Sequence, residues 1–190
     1  MTRCPWVPAG QELYVQYHDQ EWGVPSRDER HLFEMLKLEG AQAGLSWWTI
    51  LQKRARYREV FHGFEPEKVA AMNDRALDAL VRDPGIVRHQ GKIAAVRRNA
   101  RAWLSLRERE GDVVTWLWSF VGGEPQVRRP GGLEELPTET PESRALSRAL
   151  RKEGFTFVGP TTMHAFMQAV GMVEEHTTDC FRMAELAASR

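Results

Sequence analysis

Apolar residues recur at helical spacing on both sides of a short run of small residues. Between residues 28 and 38 they stand three or four positions apart, which predicts an amphipathic helix. Small residues then predict a turn over 40–45, with Glu39 at its entrance. Ser46 is a good N-cap for a second helix that begins at Trp47. The apolar positions of the first helix are Leu32, Phe33, Leu36 and Leu38.

The same reasoning predicts helices along most of the chain. Pro66 suits the first turn of a helix, and Asn73 can cap the next one, over 74–82. A helical period continues over 89–109. The apolar run 113–121 suits a strand or a helix, and its helical surroundings favour a helix. Because no segment alternates apolar and polar residues convincingly, the sequence predicts an all-α fold.

Glycine and proline mark a loop and a hairpin in the C-terminal half. The stretch 122–141 is rich in both and predicts a long surface loop. Pro141 begins a helix, Gly154 suits the position just after its end, and Pro160 begins another helix. We therefore predict a helix-hairpin-helix unit over about residues 141–170.

The hairpin offers a place for an anion. Gly159 has no side chain to hinder a tight turn, and the backbone N–H groups that follow it, such as that of Thr161, lack helical partners. Such groups bind phosphate well, DNA phosphate included. A plain pair of antiparallel helices without a ligand is the alternative for the same residues.

Charge and composition restrict the classes of function. The chain has 26 Lys and Arg residues and 26 Asp and Glu residues, so any nucleic-acid binding must come from local patches. Arg97, Arg98 and Arg101, on the polar side of the 89–109 helix, are candidates for phosphate contacts. No apolar run is long enough for a bilayer, and the N-terminus has no signal-peptide core. We expect one domain over 1–190 that is soluble, cytoplasmic and monomeric, with no membrane contact.

Glu39 is the most distinctive candidate for chemistry. It places one negative charge beside Trp47, with glycines on both sides that permit close approach of another molecule. This arrangement predicts a pocket for a flat, electron-poor ligand. Tyr14 and Tyr17, at helical spacing, could line it. The alternative is a solvated carboxylate beside a core tryptophan.

The two cysteines, at opposite ends of the chain, suggest a metal site. His176 and Cys180 stand four residues apart, one helical turn, so both can point at one ion. Cys4 and His18 supply a second such pair, and Cys₂His₂ is a set that zinc prefers in structural sites. Four protein ligands leave no place for a reacting water. A Cys4–Cys180 disulfide and unrelated core residues are the alternatives.

Five stretches of the sequence carry a family pattern. They are residues 4–6 (CPW), 14–25 (YVQYHDQEWGVP), 38–47 (LEGAQAGLSW), 85–93 (GIVRHQGKI) and 155–161 (FTFVGPT). Together they resemble 3-methyladenine DNA glycosylase I, the zinc-containing branch of the helix-hairpin-helix glycosylases. The resemblance runs from Cys4 to Cys180, almost the whole chain, and its motifs are long and specific.

The resemblance implies a mostly α-helical fold of two small lobes around a cleft, with the termini joined by zinc. It also implies excision of 3-methyladenine from alkylated double-stranded DNA by a monofunctional enzyme, which releases the free base and leaves an abasic site. By family motif Glu39 bonds the extruded base, and Leu45 fills the gap left in the duplex. Trp47, Tyr14, Tyr17, Trp6 and Trp22 form the base pocket, and Cys4, His18, His176 and Cys180 hold the zinc.

Two other functions stay open from the residues alone. One is a non-enzymatic, zinc-stapled DNA-binding module that uses the hairpin and the basic helices. The other is a hydrolase in which the zinc is catalytic. Asp179 lies where related glycosylases carry a catalytic aspartate, but its place between two presumed zinc ligands favours a supporting or surface role.

Overall fold

Helices dominate the fold, as the hydrophobic pattern predicts. The computed structural model describes residues 1–188. The helices are α1 (Glu12–Gln20), α2 (Glu29–Gln42), α3 (Trp47–Val60), α4 (Pro66–Ala70), α5 (Asp74–Leu80), α6 (Gln90–Glu110), α7 (Val113–Trp118), α8 (Pro141–Lys152), α9 (Pro160–Ala169) and α10 (Phe181–Ala188). Short 3₁₀ turns cover His62–Phe64, Ser119–Val121 and Leu133–Glu135. The predicted all-α class is confirmed.

Side-chain caps explain where several helices begin. Ser46 accepts a hydrogen bond from the backbone N–H of Thr49, and Asn73 accepts one from that of Ala76. Thr140 forms a reciprocal capping box with Ser143 at the start of α8. Each cap satisfies a backbone donor that the first helical turn leaves free. The predicted helix starts at Trp47, Asp74 and Pro141 are therefore confirmed.

Helix α2 is the centre of the core. Residues 32–41 are all buried, and α2 contacts α3, α6, α7 and α9. The helix continues to Gln42, so the prediction that a turn begins after Glu39 is wrong. Gly40 lies inside the helix, where a Cβ would stand 3.0 Å from the carbonyl oxygen of Phe157. This glycine thus permits close packing of α2 on the hairpin instead of approach by a ligand.

The hairpin between α8 and α9 turns at a residue other than the predicted one. Phe157 has φ 57°, in the left-handed region, whereas Gly159 has φ −63° and acts as the N-cap of α9. Gly154 has φ 87° after the end of α8, as predicted. The side chain of Asn99 stabilises the turn, since it accepts from the Thr156 N–H and donates to the Thr156 carbonyl, both at 2.9 Å.

The long loop 122–141 is mostly irregular, as predicted, but it includes a strand that the sequence pattern did not indicate. Strand β1 (Gln126–Val127) pairs in parallel with β2 (Val173–Glu174), with Gln126 opposite Val173. Two residues are too few to show alternation. The last two residues of the predicted 1–190 domain lie outside the described part. Within residues 1–188 no helix has the length and apolar character needed to cross a membrane.

The basic side of α3 is not wholly solvated. Arg54 is buried, and its guanidinium contacts Glu34 and Glu21 through three hydrogen bonds of 2.7 Å.

Arg97 of α6 bonds Asp74 and the Met72 carbonyl, and Arg101 bonds the Ala70 carbonyl. Arg98 is exposed. The donors of Arg97 and Arg101 thus already have partners, which weakens their candidacy for phosphate.

Candidate active site and metal centre

One cavity gathers Glu39 and all five aromatic residues that the family motif implicates. Its volume is about 210 Å³, far more than one water molecule occupies. The side chains come from the N-terminal segment, α1, α2, the start of α3, the long loop and α9. The lining residues are Trp6, Tyr14, Tyr17, Trp22, Glu39, Gln42, Trp47, Leu136, Ala165 and Gln168.

The aromatic rings hold one another in place around the cavity. Tyr17 lies 5.2 Å from Trp47, and Trp6 lies 5.7 Å from Tyr14 and 4.9 Å from Trp22, measured between ring centroids. Trp48, which the sequence analysis did not single out, stacks on Tyr14 at 6.0 Å. These distances are typical of favourable aromatic pairs, so the rings form a pre-organised wall.

Glu39 lies in this wall without a polar protein partner. It is 4% exposed, and no hydrogen bond or ion pair to it is found among residues 1–188. Burial raises the pKa of its carboxyl to about 8. A group with such a pKa is largely protonated near neutrality, and a cationic ligand would drive it to ionise. Its geometry and its pKa therefore both suit a site for a positively charged molecule.

Other polar groups in the pocket are also poised for a ligand. The indole N–H of Trp47 is buried and has no hydrogen-bond partner in the described part of the chain. Burial, and then the nearby Glu39, raise the pKa of Tyr17 well above its usual value and that of Tyr14 in the same direction. Both phenols therefore stay protonated. Unpaired buried groups are rare in folded proteins and need an explanation, and a ligand would supply one.

Four pocket residues were missed by the sequence analysis. Gln42 is the last residue of α2, Leu136 stands in the long loop, and Ala165 and Gln168 share one face of α9. The spacing of Ala165 and Gln168, one helical turn, could have suggested that they lie together. Nothing in the sequence indicates that this face meets Glu39, because the contact joins segments more than a hundred residues apart.

The loop between α2 and α3 presents Leu45 to solvent. Its side chain is 41% exposed, and Gly44 before it has φ 79°. The ammonium of Lys92 donates to the carbonyl oxygens of Ala41 and Ala43, at 2.8 and 2.6 Å. The loop is therefore fixed at its base while its tip projects.

The start of α9 has the features of an anion site. The N–H groups of Thr161 and Thr162 belong to the first turn and have no intrahelical acceptor. Thr161 is exposed. A Cβ placed on Gly159 would lie 3.7 Å from a guanidinium nitrogen of Arg151. A positive side chain thus stands beside the positive end of the helix dipole.

The structure brings the four presumed metal ligands together. The ligand atoms of Cys4, His18, His176 and Cys180 all lie within 4.8 Å of one another, and all four residues are buried. The reason given from the sequence is wrong in one detail. His176 and Cys180 do not share a helical turn, because the chain leaves β2 in extended form and turns at 178–179 before α10.

The hydrogen bonds around this cluster suit a metal ion. His18 Nδ1 lies 2.7 Å from Asp19, and His176 Nδ1 lies 3.3 Å from Glu174, so each Nε2 is left for a ligand role. The Nε2 of His176 is buried with no partner among the described residues. Carboxylates behind ligating imidazoles are typical of zinc sites. With protein neighbours alone, burial raises the pKa of the Cys4 thiol to about 12, so a cation would have to stabilise its thiolate.

The four candidate metal ligands lie behind the aromatic pocket. Trp22 lies 4.6 Å from the His176 ring, and Trp6 lies 5.1 Å from the His18 ring. Gly23 has φ 78°, and a Cβ there would stand 2.7 Å from His176. Only glycine therefore lets the chain pass so close to this imidazole. Asp179, by contrast, is exposed.

A pocket in which an unpaired acid faces aromatic rings suits a flat base taken out of DNA, because such bases are held by hydrogen bonds and aromatic stacking. The model of the methyladenine glycosylase family matches residues 6–183, and the chain belongs to that family. The resemblance inferred from the motifs is thus confirmed.

Known relatives agree over nearly the full length. The DNA-3-methyladenine glycosylase 1 of Escherichia coli K12 is 52% identical over 180 residues, which cover 95% of this chain and 96% of the relative. A crystal structure of 3-methyladenine DNA glycosylase I is 50% identical, covers 95% of this chain and 98% of its own, and has a TM-score of 0.92. The structure that describes 3-methyladenine recognition by the Staphylococcus aureus glycosylase I is 38% identical. It has a TM-score of 0.91 and covers 95% and 96% of the two chains.

Proposed function

We propose that this protein is a monofunctional DNA glycosylase that releases 3-methyladenine from alkylated double-stranded DNA. The observation that carries the proposal is Glu39, a buried acid without a protein partner among aromatic rings. A carboxyl group in this position is costly to ionise unless a cation arrives. Adenine that is methylated at N3 while it is part of a nucleotide carries a positive charge.

Recognition would follow from electrostatic complementarity. Trp47 and Tyr17 would stack on the extruded base, and their electron-rich faces favour a cation over a neutral ring. Ionised Glu39 would accept a hydrogen bond from the exocyclic amine, and the bond is strengthened by the charge. Trp6, Trp22 and Tyr14 would enclose the remaining edge. Normal adenine lacks the charge and would gain less from each of these contacts.

The reaction is the hydrolysis of the bond between the base and the sugar. As that bond breaks, its electron pair moves onto the base and neutralises the positive charge. The oxygen of a water molecule bonds to the sugar carbon and loses a proton. Glu39 holds the departing base throughout and is the catalytic group of the proposal. No lysine is needed as a nucleophile, so the product is an abasic site without a strand break.

The duplex would be held by two projecting features. Leu45 would fill the space that the extruded nucleotide leaves, and the N–H groups after Gly159, with Thr161, would bind a phosphate. Backbone contacts of this kind need no net positive charge on the protein. We expect a monomer, because one chain supplies the whole pocket, and a cytoplasmic location, because the proposed substrate is DNA.

A zinc ion would fasten Cys4 and His18 to His176 and Cys180. Its role would be structural, because four protein ligands leave no open position, and it would hold Trp6 and Trp22 in the pocket wall. Metal analysis of Cys180→Ser should show loss of stoichiometric zinc together with loss of folding stability. If the ion stayed bound while activity alone vanished, the zinc would be catalytic, as in the hydrolase alternative.

A release assay on alkylated duplex DNA tests the main proposal. The wild-type protein should liberate 3-methyladenine and leave intact strands with abasic sites. Glu39→Gln should release it roughly a hundredfold more slowly, the expected loss for a hydrogen bond to a charged group in a closed site. The matched control is Glu59→Gln, an exposed glutamate of α3 that should not change release. Absence of released base in the wild type would contradict the proposal.

The binding-module alternative makes a different prediction for the same samples. A module would bind abasic or mismatched duplex without turnover, and Trp47→Ala would change its binding only weakly. The glycosylase family membership and the pocket that gathers Glu39 with the aromatic rings favour the enzyme. Large loss of release in Trp47→Ala, with duplex binding retained, would separate the two.

A further inference from the structure

Gln168 is a pocket residue that neither the family motifs nor the proposed mechanism uses. It lies on α9 one turn after Ala165, and both residues line the cavity that holds Glu39. The Gln168 carbonyl accepts a hydrogen bond of 3.1 Å from the Gly23 N–H, just after Trp22. This backbone contact therefore ties α9 to the segment that carries Trp22.

A buried glutamate holds the Gln168 side-chain amide. Nε2 of Gln168 donates to Oε2 of Glu175 over 2.6 Å, and Glu175 is 1% exposed. The other carboxylate oxygen accepts from Arg128 at 3.1 Å, and His164 Nε2 lies 3.1 Å from Oε2. Against the effect of its burial, these neighbours lower the pKa of Glu175, and an ionised carboxylate can only accept from Gln168.

This contact fixes which end of the amide is available. Because the NH₂ group must face Glu175, Oε1 is left for the cavity that Gln168 lines. No hydrogen bond to Oε1 is found in the described part of the chain. Gln42, the other glutamine of the pocket, has no such anchor, since its amide bonds only the Leu45 carbonyl in an exposed loop, at 3.4 Å.

We propose that Gln168 is a specificity-determining residue of the base pocket: its Oε1, aimed by Glu175, is a second hydrogen-bond acceptor that acts with Glu39 against unmodified adenine. Glu175 is a positioning residue that acts through Gln168. The proposal rests on the proposed glycosylase function and names the way in which the same site tells two bases apart.

The chemistry of the two bases explains the discrimination. Unmodified adenine presents lone pairs at its ring nitrogens, and an oxygen acceptor opposite a lone pair is repulsive. Methylation at N3 replaces one lone pair with C–H groups, which carry partial positive charge and are tolerated by an acceptor. An acceptor at this position therefore disfavours adenine, whose lone pair is left without a donor, and unpaired groups of this kind discriminate strongly.

The test compares the dissociation constants of free 3-methyladenine and free adenine by calorimetric titration. In Gln168→Met, a variant of similar volume that leaves the Glu175 contacts to Arg128 and His164 intact, the preference for 3-methyladenine should fall about tenfold. The matched control is Gln52→Met, an exposed glutamine of α3, whose preference should equal that of the wild type. An unchanged preference in Gln168→Met overturns the inference.

The positioning role needs its own readout. Glu175→Gln can donate or accept, so it no longer dictates the amide orientation, and the preference should fall as in Gln168→Met. In the double variant the preference for 3-methyladenine should fall no further, because both changes remove the same interaction. Additive losses would show that Glu175 acts by another route and would overturn its assigned role.

These outcomes are separate from the outcome of the proposed function. If the wild type releases 3-methyladenine from DNA while Gln168→Met keeps the full preference, the enzyme assignment stands and the specificity inference fails. If the wild type releases no base, the glycosylase proposal fails, whatever the titrations give. A thermal unfolding scan of each variant shows that the titrated protein is folded.

Discussion

Helix α2 buries two glutamates in opposite ways. Glu34, near the middle of the helix, accepts 2.7 Å hydrogen bonds from Arg54 and Arg58. Burial opposes its ionisation, but the two arginines outweigh burial and lower the pKa of its carboxyl. Glu39, five residues later, is equally buried, has no such partner, and has a pKa raised to about 8. A paired buried acid serves the fold, and an unpaired one is available to a ligand.

The largest expected effect tests the paired side of this comparison. Glu34→Gln leaves Arg54 and Arg58 without their shared carboxylate and should lower the free energy of unfolding by about 3 kcal/mol. Urea unfolding at neutral pH measures the change. Glu59→Gln, which removes an exposed partner of Arg56, should change it by about 0.5 kcal/mol or less. Equal effects of the two substitutions would mean that burial of the pair does not matter.

The prediction for Glu39, the unpaired acid, is tested with free 3-methyladenine. Saturating 3-methyladenine, at about a hundred times its dissociation constant, should stabilise the wild-type protein by about 2.7 kcal/mol. The rise in melting temperature should be smaller in Glu39→Gln, because an amide oxygen accepts a hydrogen bond from the exocyclic amine more weakly than a carboxylate does. A full rise in that variant would show that the rings alone bind the base.

The pH dependence of stability distinguishes the two acids further. The raised pKa of Glu39 means that its contribution is complete below pH 4.5 and is lost as pH rises towards 8, since the unfolded chain ionises first. The side chain in Glu39→Gln does not titrate. The free energy of unfolding of this variant, relative to the wild type, should therefore rise by about 2 kcal/mol between weakly acid and weakly alkaline solution. Melting curves across that range measure it. A difference in stability between the two proteins that does not change with pH would mean that the Glu39 carboxyl lies in solvent.

The smallest effect concerns the end of the helix. Lys92→Met removes the ammonium that bonds the Ala41 and Ala43 carbonyls and should cost about 1 kcal/mol of stability. Release of 3-methyladenine should fall severalfold, because the Leu45 loop loses its support. Lys68→Met, at an exposed pair with Glu65, is the control and should leave release unchanged. An effect in both variants would point to net charge instead of the loop.

The parts of this fold that depend on neighbouring residues were predictable. Ser46, Asn73 and Thr140 cap the helices they precede, because each cap bonds a backbone group three residues away. The metal quartet could be proposed from residue type alone, since both cysteines and two histidines stand near the chain ends. The geometry that joins His176 to Cys180 was predicted incorrectly, because a spacing of four residues suits an extended turn as well as a helix.

Long-range pairings were beyond the sequence pattern. Arg54 carries no local mark that distinguishes it from the exposed arginines around it, and its burial depends on Glu34, 20 residues away. Gln168 meets Glu39 only because α9 packs on α2. The left-handed turn fell on Phe157 although glycine was expected, since Asn99 of α6 fixes the adjacent backbone. Such contacts become visible only when the helices are assembled.

The edge-on contacts of Trp22 with His176 and of Trp6 with His18 have a practical consequence. Indole emission is sensitive to its immediate surroundings, so the intrinsic fluorescence of this protein should report on occupancy of the nearby quartet. Binding of an ion by these four ligands would then change the emission, and an optical titration with metal and then chelator could follow it without DNA.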